Sequence, residues 1–184
     1  MTFLPSIVAP RQIEALVGLA ASVPQGCFVE VGVYQGGTAS HLYQVAQSQH
    51  RDLYLFDTFN GTPYCVEGLD KHRIDKEFSA ETTPALIEQF LPEAKVYVGI
   101  YPETHPIGLK DIAFIHCDCD QYESYVAVIE HLWPLVVDGG ILYFDDYPYL
   151  AGAKKAVEDK FTIGSIRPCG ARYYVIKGAA VERY

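Results

Sequence analysis

Two kinds of hydrophobic pattern alternate along the chain. Short runs of β-branched and aromatic residues predict buried strands, whereas stretches with apolar residues three and four positions apart predict helices that bury one face. Strands are predicted at residues 27–33, 53–57, 95–100, 112–117, 140–144 and 172–176, with a weaker one at 163–166. Helices are predicted at residues 10–22, 37–49, 84–90, 122–136 and 152–160.

This order of elements predicts an α/β fold with a Rossmann-like, doubly wound and mostly parallel sheet of seven strands. The run that begins at Gly170 is typical of a closing hairpin, so the C-terminal strand is expected to be antiparallel. The chain has 184 residues, so 1–184 is interpreted as a single domain. In such folds, ligands bind outside the carboxyl ends of the strands, where the strand order reverses.

Charge and composition argue against several classes of partner. A formal net charge of -9 disfavours nucleic acid, because binding phosphates requires Lys and Arg. No apolar run reaches the roughly 20 residues that span a bilayer, so no membrane partner is expected. The residues after Met1 lack the basic start of a secretory signal, and the five cysteines are odd in number and scattered, so we expect reduced thiols and a cytoplasmic protein.

The first strand leads into a glycine-containing loop, Glu30-Val31-Gly32-Val33-Tyr34-Gln35-Gly36-Gly37-Thr38. Glycines allow a tight turn there and expose amides at the start of a helix. A dinucleotide-binding loop would have glycine in place of Tyr34, and Glu30 would repel a pyrophosphate but could hold a cationic amino group. The pattern favours S-adenosylmethionine, although Gly36 and Gly37 could instead serve only close helix packing.

Asp57 and Thr58 lie at the end of the second predicted strand. Asp57 follows Gly37 by 20 residues, the separation typical of an acid that binds a ribose. It is therefore the predicted ribose ligand. The alternative is that Asp57 only caps a turn.

Four acids follow two neighbouring strands: Asp118 and Asp120 after one, and Asp145 and Asp146 after the other. Carboxylates brought together at adjacent strand ends repel one another, and a hard divalent cation with oxygen ligands relieves that repulsion. Asp118, Asp145 and Asp146 are the predicted metal ligands, with Mg²⁺ or another divalent ion as the metal. Such an ion could orient the hydroxyl of a small-molecule acceptor and lower its pKa.

Asp120 has two interpretations. It could be the general base that removes a hydroxyl proton from the acceptor. Equally, Asp120 and Glu123 have the spacing of a capping box before the next helix. Two further residues, His116 and Tyr147, are predicted to lie beside the substrate.

These residues resemble the macrocin-type (TylF-like) family of sugar O-methyltransferases, within the class I S-adenosylmethionine-dependent methyltransferases. The resemblance implies methyl-donor binding by Glu30, Gly32, Tyr34, Gly36 and Asp57, metal binding by the three predicted aspartates, and Asp120 as the base. It rests on the loop at 28–38, Phe56-Asp57-Thr58-Phe59, Gly61, Pro63, Pro102-Glu103-Thr104, His116-x-Asp118-x-Asp120-x-Tyr122-Glu123-Ser124, Gly139-Gly140, Asp145-Asp146-Tyr147 and Lys155-Ala156-Val157.

Compared with that family, the chain is short before its first strand, so the acceptor pocket is expected to be built differently. The candidates are residues 60–79, with Tyr64, His72 and Arg73, or a partner subunit in a homo-oligomer. The acceptor is expected to be a sugar or a catechol-like vicinal diol. Two other functions stay open: a nicotinamide-dependent oxidoreductase and a catalytically silent protein that binds the methyl donor or serves in assembly.

Overall fold

The sheet has seven strands in the order β3-β2-β1-β4-β5-β7-β6. The computed structural model describes residues 3–71 and 78–179. Strands β1 to β5 run parallel, β7 pairs antiparallel with β5, and β6 pairs antiparallel with β7. The strands are β1 (Cys27–Val31), β2 (Leu53–Asp57), β3 (Lys95–Val98), β4 (Ile112–Cys117), β5 (Val136–Phe144), β6 (Arg167–Cys169) and β7 (Arg172–Ile176).

Helices cover both faces of this sheet, so the core is divided into two layers. On one face, the side chains of α1 and α2 pack around Phe28 and Phe114; on the other, α4 and α5 pack around Ile115 and Phe144. No helix in the described part of the chain is long and apolar enough to cross a membrane. The helices are α1 (Pro10–Ser22), α2 (Gly37–Ser48), α3 (Thr83–Phe90), α4 (Tyr122–His131) and α5 (Ala151–Lys160).

The predicted fold class is confirmed, including the antiparallel strand at the C-terminus. Three predicted elements differ from the structure by more than two residues or in type. Strand β5 begins at Val136 and not at residue 140. The helix expected at 122–136 ends at His131, because Pro134 lacks an amide hydrogen and its ring opposes a continuing helix; a 3₁₀ turn, Trp133–Leu135, replaces the last turn. The weak strand expected at 163–166 is instead a 3₁₀ turn, Ile163–Ser165, and strand β6 follows it.

Strand β1 ends at Val31 because Gly32 turns the chain past the end of β4. Gly32 has a φ of +91°, and a Cβ there would lie 1.7 Å from the carbonyl oxygen of Asp118. The amide of Asp118 in turn donates to the carbonyl of Val31 over 2.9 Å. The ends of β1 and β4, where the strand order reverses, are therefore held in backbone contact.

A side chain at Gly32 should destabilise the protein. Gly32→Ala is expected to lower the free energy of unfolding by on the order of 3–5 kcal/mol, because positive φ and a backbone clash combine. Gly18→Ala is the matched control, since Gly18 lies within α1 with open space around it. We expect Gly18→Ala to raise stability by about 0.5–1 kcal/mol. Urea denaturation of both variants measures the difference, and equal stabilities would contradict the close approach.

Candidate active site

A cavity of about 250 Å³ opens at the carboxyl ends of the parallel strands. It lies where sheet order reverses between β1 and β4, as the fold requires of a ligand site. The N-terminal segment before α1 contributes to its wall through residues 5–8. Ten of the fourteen predicted site residues line it: Gly32, Tyr34, Gly37, Thr38, Asp57, Thr58, Asp118, Asp120, Asp145 and Asp146.

Four predicted site residues lie outside this lining: Glu30, Gly36, His116 and Tyr147. Gly36 has a φ of +80° and forms the N-cap of α2, so glycine is favoured there because it adopts this left-handed conformation without strain. Tyr147 follows the rim residue Asp146, and its side chain points away from the lining residues. Its ring packs edge-on against Tyr173, and its hydroxyl donates to Glu158 over 3.3 Å.

Asp57 holds the glycine loop in place. Its Oδ2 accepts the amides of Val33 and Tyr34 at 2.6 and 2.8 Å, and its Oδ1 accepts the amide of Phe59 at 2.7 Å. The turn-capping interpretation therefore describes a real part of its role. A carboxylate has about four acceptor sites, so three such bonds leave one for a ligand hydroxyl.

Glu30 and His116 form a buried ion pair below the cavity. They are register partners on β1 and β4, and Nδ1 of His116 lies 2.8 Å from Oε1 of Glu30. Burial raises the pKa of Glu30 above its ordinary value, even though the bond to His116 opposes this effect. Burial lowers the pKa of His116, but the neighbouring Asp145 and Glu30 carboxylates outweigh it and raise that pKa well above its ordinary value.

Asp145 lies between two cations. Its Oδ1 is 3.7 Å from Nε2 of His116, and its Oδ2 is 2.8 Å from Nη2 of Arg172. Burial raises the pKa of Asp145, but His116 and Arg172 more than compensate and hold it below its ordinary value. Asp145 is therefore the ionised anchor of the acidic rim.

Asp146 and Asp118 experience the opposite balance. Burial, with Asp120 and Asp145 nearby, raises the pKa of Asp146 to about 7. Burial and the charges of Asp145 and Asp146 raise the pKa of Asp118 well above its ordinary value. Oδ2 of Asp146 also accepts hydrogen bonds of 3.0 Å from the hydroxyl of Tyr125 and the amide of Asp120.

The start of helix α4 excludes the capping box expected for Asp120. The N-cap is Gln121, one residue later, so Asp120 precedes the cap and has a φ of +59°. The first helical amide, that of Tyr122, donates instead to Oδ1 of Asp70 over 2.8 Å. Asp120 lines the cavity in a left-handed conformation, and such strain clusters at functional sites.

Part of the segment at 60–79 contributes to the cavity wall, where the ring of Phe78 packs edge-on against Tyr34 of the glycine loop. Gly61, Thr62, Pro63 and Phe78 line the cavity, and the ends of the segment meet in a bridge between Asn60 and Ser79. Tyr64 lies outside the lining, with its amide donating to Gln121 Oε1 over 2.8 Å. His72 and Arg73, two residues expected here, lie outside the described residues.

Sequence reasoning missed several residues of the cavity. Arg172 reaches it because Tyr173 is the register partner of Phe144, which puts Arg172 beside Asp145. That proximity follows from strand register alone, and no local motif indicates it. Tyr101 also lines the cavity, and its hydroxyl lies 2.8 Å from Nδ1 of His105.

The donor atoms at the rim suit a divalent cation. One ligand atom from each of His116, Asp118 and Asp145 lies within 4.8 Å of the other two. Nε2 of His116 is buried without a hydrogen-bond partner among the described residues. Asp146 lies on the same cavity wall, but one of its oxygens is engaged by Tyr125 and Asp120. Two of the three acids expected to bind metal, Asp118 and Asp145, therefore converge with His116.

Comparison with known proteins identifies similar sequences and folds. A family model described as macrocin-O-methyltransferase (TylF) matches residues 12–165. A relative from Streptomyces olivaceus, 8-demethyl-8-(2,3-dimethoxy-alpha-L-rhamnosyl)-tetracenomycin-C 4'-O-methyltransferase, is 29% identical over 159 residues, which are 77% of this chain. The chain spans 59% of the length of that curated relative and 61% of a second one.

Solved structures share the fold. The O-methyltransferase NovP aligns with a TM-score of 0.80 at 22% identity, covering 94% of this chain and 81% of its own. An O-methyltransferase from Bacillus cereus, solved in complex with SAH, aligns with a TM-score of 0.60 at 14% identity, covering 95% and 84%. At these identities the likeness establishes the fold.

Asp70 should be the residue that caps α4. Its two carboxylate oxygens accept the amides of Tyr122 and Val66 at 2.8 and 2.7 Å. Asp70→Ala is therefore expected to lower the free energy of unfolding by about 1–2 kcal/mol, the usual effect of losing a helix cap. Glu67→Ala, at an exposed position of the same turn, should change it by less than about 0.5 kcal/mol. Equal effects of the two substitutions in urea denaturation would contradict this assignment.

Proposed function

Because the chain belongs to the macrocin-O-methyltransferase family, we propose that it is an S-adenosylmethionine-dependent O-methyltransferase that uses a divalent metal ion. The observation that carries the proposal is one cavity lined both by the glycine loop with Asp57 and by four rim carboxylates. The first group suits a methyl donor, and the second suits a cation and an acceptor hydroxyl. A nicotinamide enzyme would need a glycine where this loop has Tyr34.

The donor would lie along the glycine loop. The N-terminal end of α2 faces the cavity through Gly37 and Thr38, and the positive end of a helix attracts a carboxylate such as that of the donor's methionine part. The remaining acceptor site of Asp57 would bind a ribose hydroxyl. Glu30 would act on the donor's ammonium group only through His116 and the rim acids, because Glu30 is buried outside the lining.

Asp118, Asp145 and Asp146 would hold the metal, with His116 as a further candidate ligand. When bound, a divalent ion would supply Lewis acidity to an acceptor hydroxyl. Hard oxygen donors favour Mg²⁺, whereas the imidazole of His116 favours a transition metal. Tyr125 restrains Asp146 through its hydroxyl, and Arg172 and His116 restrain Asp145.

Asp120 would remove the acceptor proton. In this step the O–H bond breaks toward the Asp120 carboxylate while the acceptor oxygen forms a bond to the methyl carbon. The methyl–sulfur bond breaks with its electrons staying on sulfur, so the sulfonium becomes a neutral thioether. The backbone amide of Asp120 donates a hydrogen bond to Oδ2 of Asp146, and this contact would hold the base at the cavity wall.

The acceptor would be a small molecule with a sugar hydroxyl. The family's description and the name of the Streptomyces olivaceus relative, which methylates a rhamnosyl group, support this choice. Gly61, Thr62, Pro63 and Phe78 would form the wall beside the acceptor. A catechol-like diol is the second acceptor class to test.

Binding of the demethylated donor, S-adenosylhomocysteine, tests the donor site. We expect calorimetric titration of the wild type to detect binding of S-adenosylhomocysteine and to detect no binding of NADH. Asp57→Asn should weaken S-adenosylhomocysteine binding roughly tenfold or more, because hydrogen bonds to a charged group contribute about 1.5–3 kcal/mol.

Asp52→Asn is the matched control for that titration. Asp52 lies at the opposite end of β2, where it is exposed and pairs with Lys95 over 2.7 Å. Its replacement should leave the affinity unchanged. Binding of NADH but not of S-adenosylhomocysteine would overturn the proposed function, whereas wild-type affinity in Asp57→Asn would overturn only the role of Asp57.

Replacement of Asp120 tests the base. Asp120→Asn should lower methyl transfer by roughly 10²–10⁴-fold, the usual contribution of a general base, while S-adenosylhomocysteine affinity stays constant. Asparagine tolerates positive φ, so the backbone should be preserved. The measurement is transfer of labelled methyl to a panel of rhamnosides and catechols.

Asp138→Asn, at an exposed position of β5, serves as the control and should retain full transfer. If Asp120→Asn retains the wild-type rate with every acceptor that the wild type methylates, Asp120 is not the base.

A further inference from the structure

Arg172 places a permanent positive charge in the acidic rim. Nη2 of its guanidinium forms an ion pair with Oδ2 of Asp145 at 2.8 Å, and both side chains are largely shielded, at 19% and 8% exposure. The guanidinium also lies over the ring of Tyr149, 5.3 Å from the ring centroid. The backbone carbonyl of Ala171 accepts the Tyr149 hydroxyl over 2.8 Å, which ties that ring to the start of β7.

This guanidinium and a divalent cation would require the same carboxylate. Asp145 is one of the residues whose ligand atoms converge, and Arg172 already uses one of its two oxygens. Two like charges beside one carboxylate repel each other strongly where water is largely excluded. A cation binding there must therefore share Asp145 with Arg172 or displace it.

We infer that Arg172 is a built-in counter-cation that neutralises Asp145 in the metal-free protein and weakens divalent metal binding by competing for that carboxylate. The inference rests on the metal dependence in the proposed function. The ion pair is direct, the arginine lines the cavity, and its charge is independent of pH in the physiological range. The arginine would keep the acidic rim folded before metal and substrate bind, at the expense of metal affinity.

The test measures Mn²⁺ affinity by following the free-ion signal in electron paramagnetic resonance. Arg172→Gln and Arg172→Met remove the charge in two ways, one polar and one apolar, so that poor folding of one leaves the other. Each should bind Mn²⁺ roughly tenfold or more tightly than the wild type, because the competing charge is gone. Arg172→Lys keeps the charge but loses the planar guanidinium group. Its affinity for Mn²⁺ should therefore lie between those of the neutral variants and that of the wild type.

Thermal unfolding gives a second measurement. In chelator, the neutral variants should melt below the wild type, because Asp145 loses its partner while staying buried. Added Mn²⁺ should then raise their melting temperature by more than it raises that of the wild type. Arg167→Gln, on neighbouring β6 and outside the cavity lining, is the matched control and should match the wild type in both measurements.

The outcomes separate the two proposals. If the wild type binds Mn²⁺ and both neutral variants bind it equally or more weakly, the inference about Arg172 fails and the proposed function stands. If no protein binds Mn²⁺ while S-adenosylhomocysteine still binds, the metal dependence fails and the inference fails with it. Tighter binding in Arg167→Gln as well would show a general charge effect and would also overturn the inference.

Discussion

The structure depends on balancing the negative charge collected at the ends of β4 and β5. Four aspartates line one wall of the cavity, and an unpaired carboxylate removed from water costs several kcal/mol. The compensation is a row of alternating charges, Glu30, His116, Asp145 and Arg172, joined through contacts of 2.8, 3.7 and 2.8 Å. The row follows the order of the strands in the sheet, β1, β4, β5 and β7. The closing hairpin therefore contributes charge as well as a sheet edge.

Acidic side chains also hold the backbone around the cavity. Asp57 accepts the amides that shape the glycine loop, and Asp146 accepts the amide of Asp120. Asp70 accepts the first amide of α4 from a segment more than fifty residues earlier in the chain. Each carboxylate accepts a hydrogen bond from a backbone amide that would otherwise lack a partner at the end of a strand or helix. The geometry of the cavity is thus fixed by groups that are themselves candidates to bind ligands.

The sequence predicts the fold well because the order of strands and helices can be read from local hydrophobic patterns. Alternating strands and helices define a parallel sheet, and the rule that ligands bind at carboxyl ends selected Asp57, Asp118, Asp120, Asp145 and Asp146, all of which line the cavity. The errors come from long-range contacts. The role of Arg172 follows from the pairing of β7 with β5, and the cap of α4 comes from Asp70 rather than from the residue adjacent to the helix. The packing of Tyr147 against Tyr173 likewise depends on the position of β7, which no local pattern indicates.

Glu30 illustrates how a buried residue can influence a cavity that it does not line. The loop pattern suggested direct contact with a ligand ammonium group, yet its carboxylate is 1% exposed and bonded to His116. That bond favours the imidazolium, and the imidazolium favours ionised Asp145, whose pKa lies below its ordinary value. At Asp118 and Asp146, burial raises the pKa values, and repulsion from the neighbouring aspartates raises them further. A bound cation would relieve the repulsion there, whereas at Asp145 it would compete with charge that the fold already supplies.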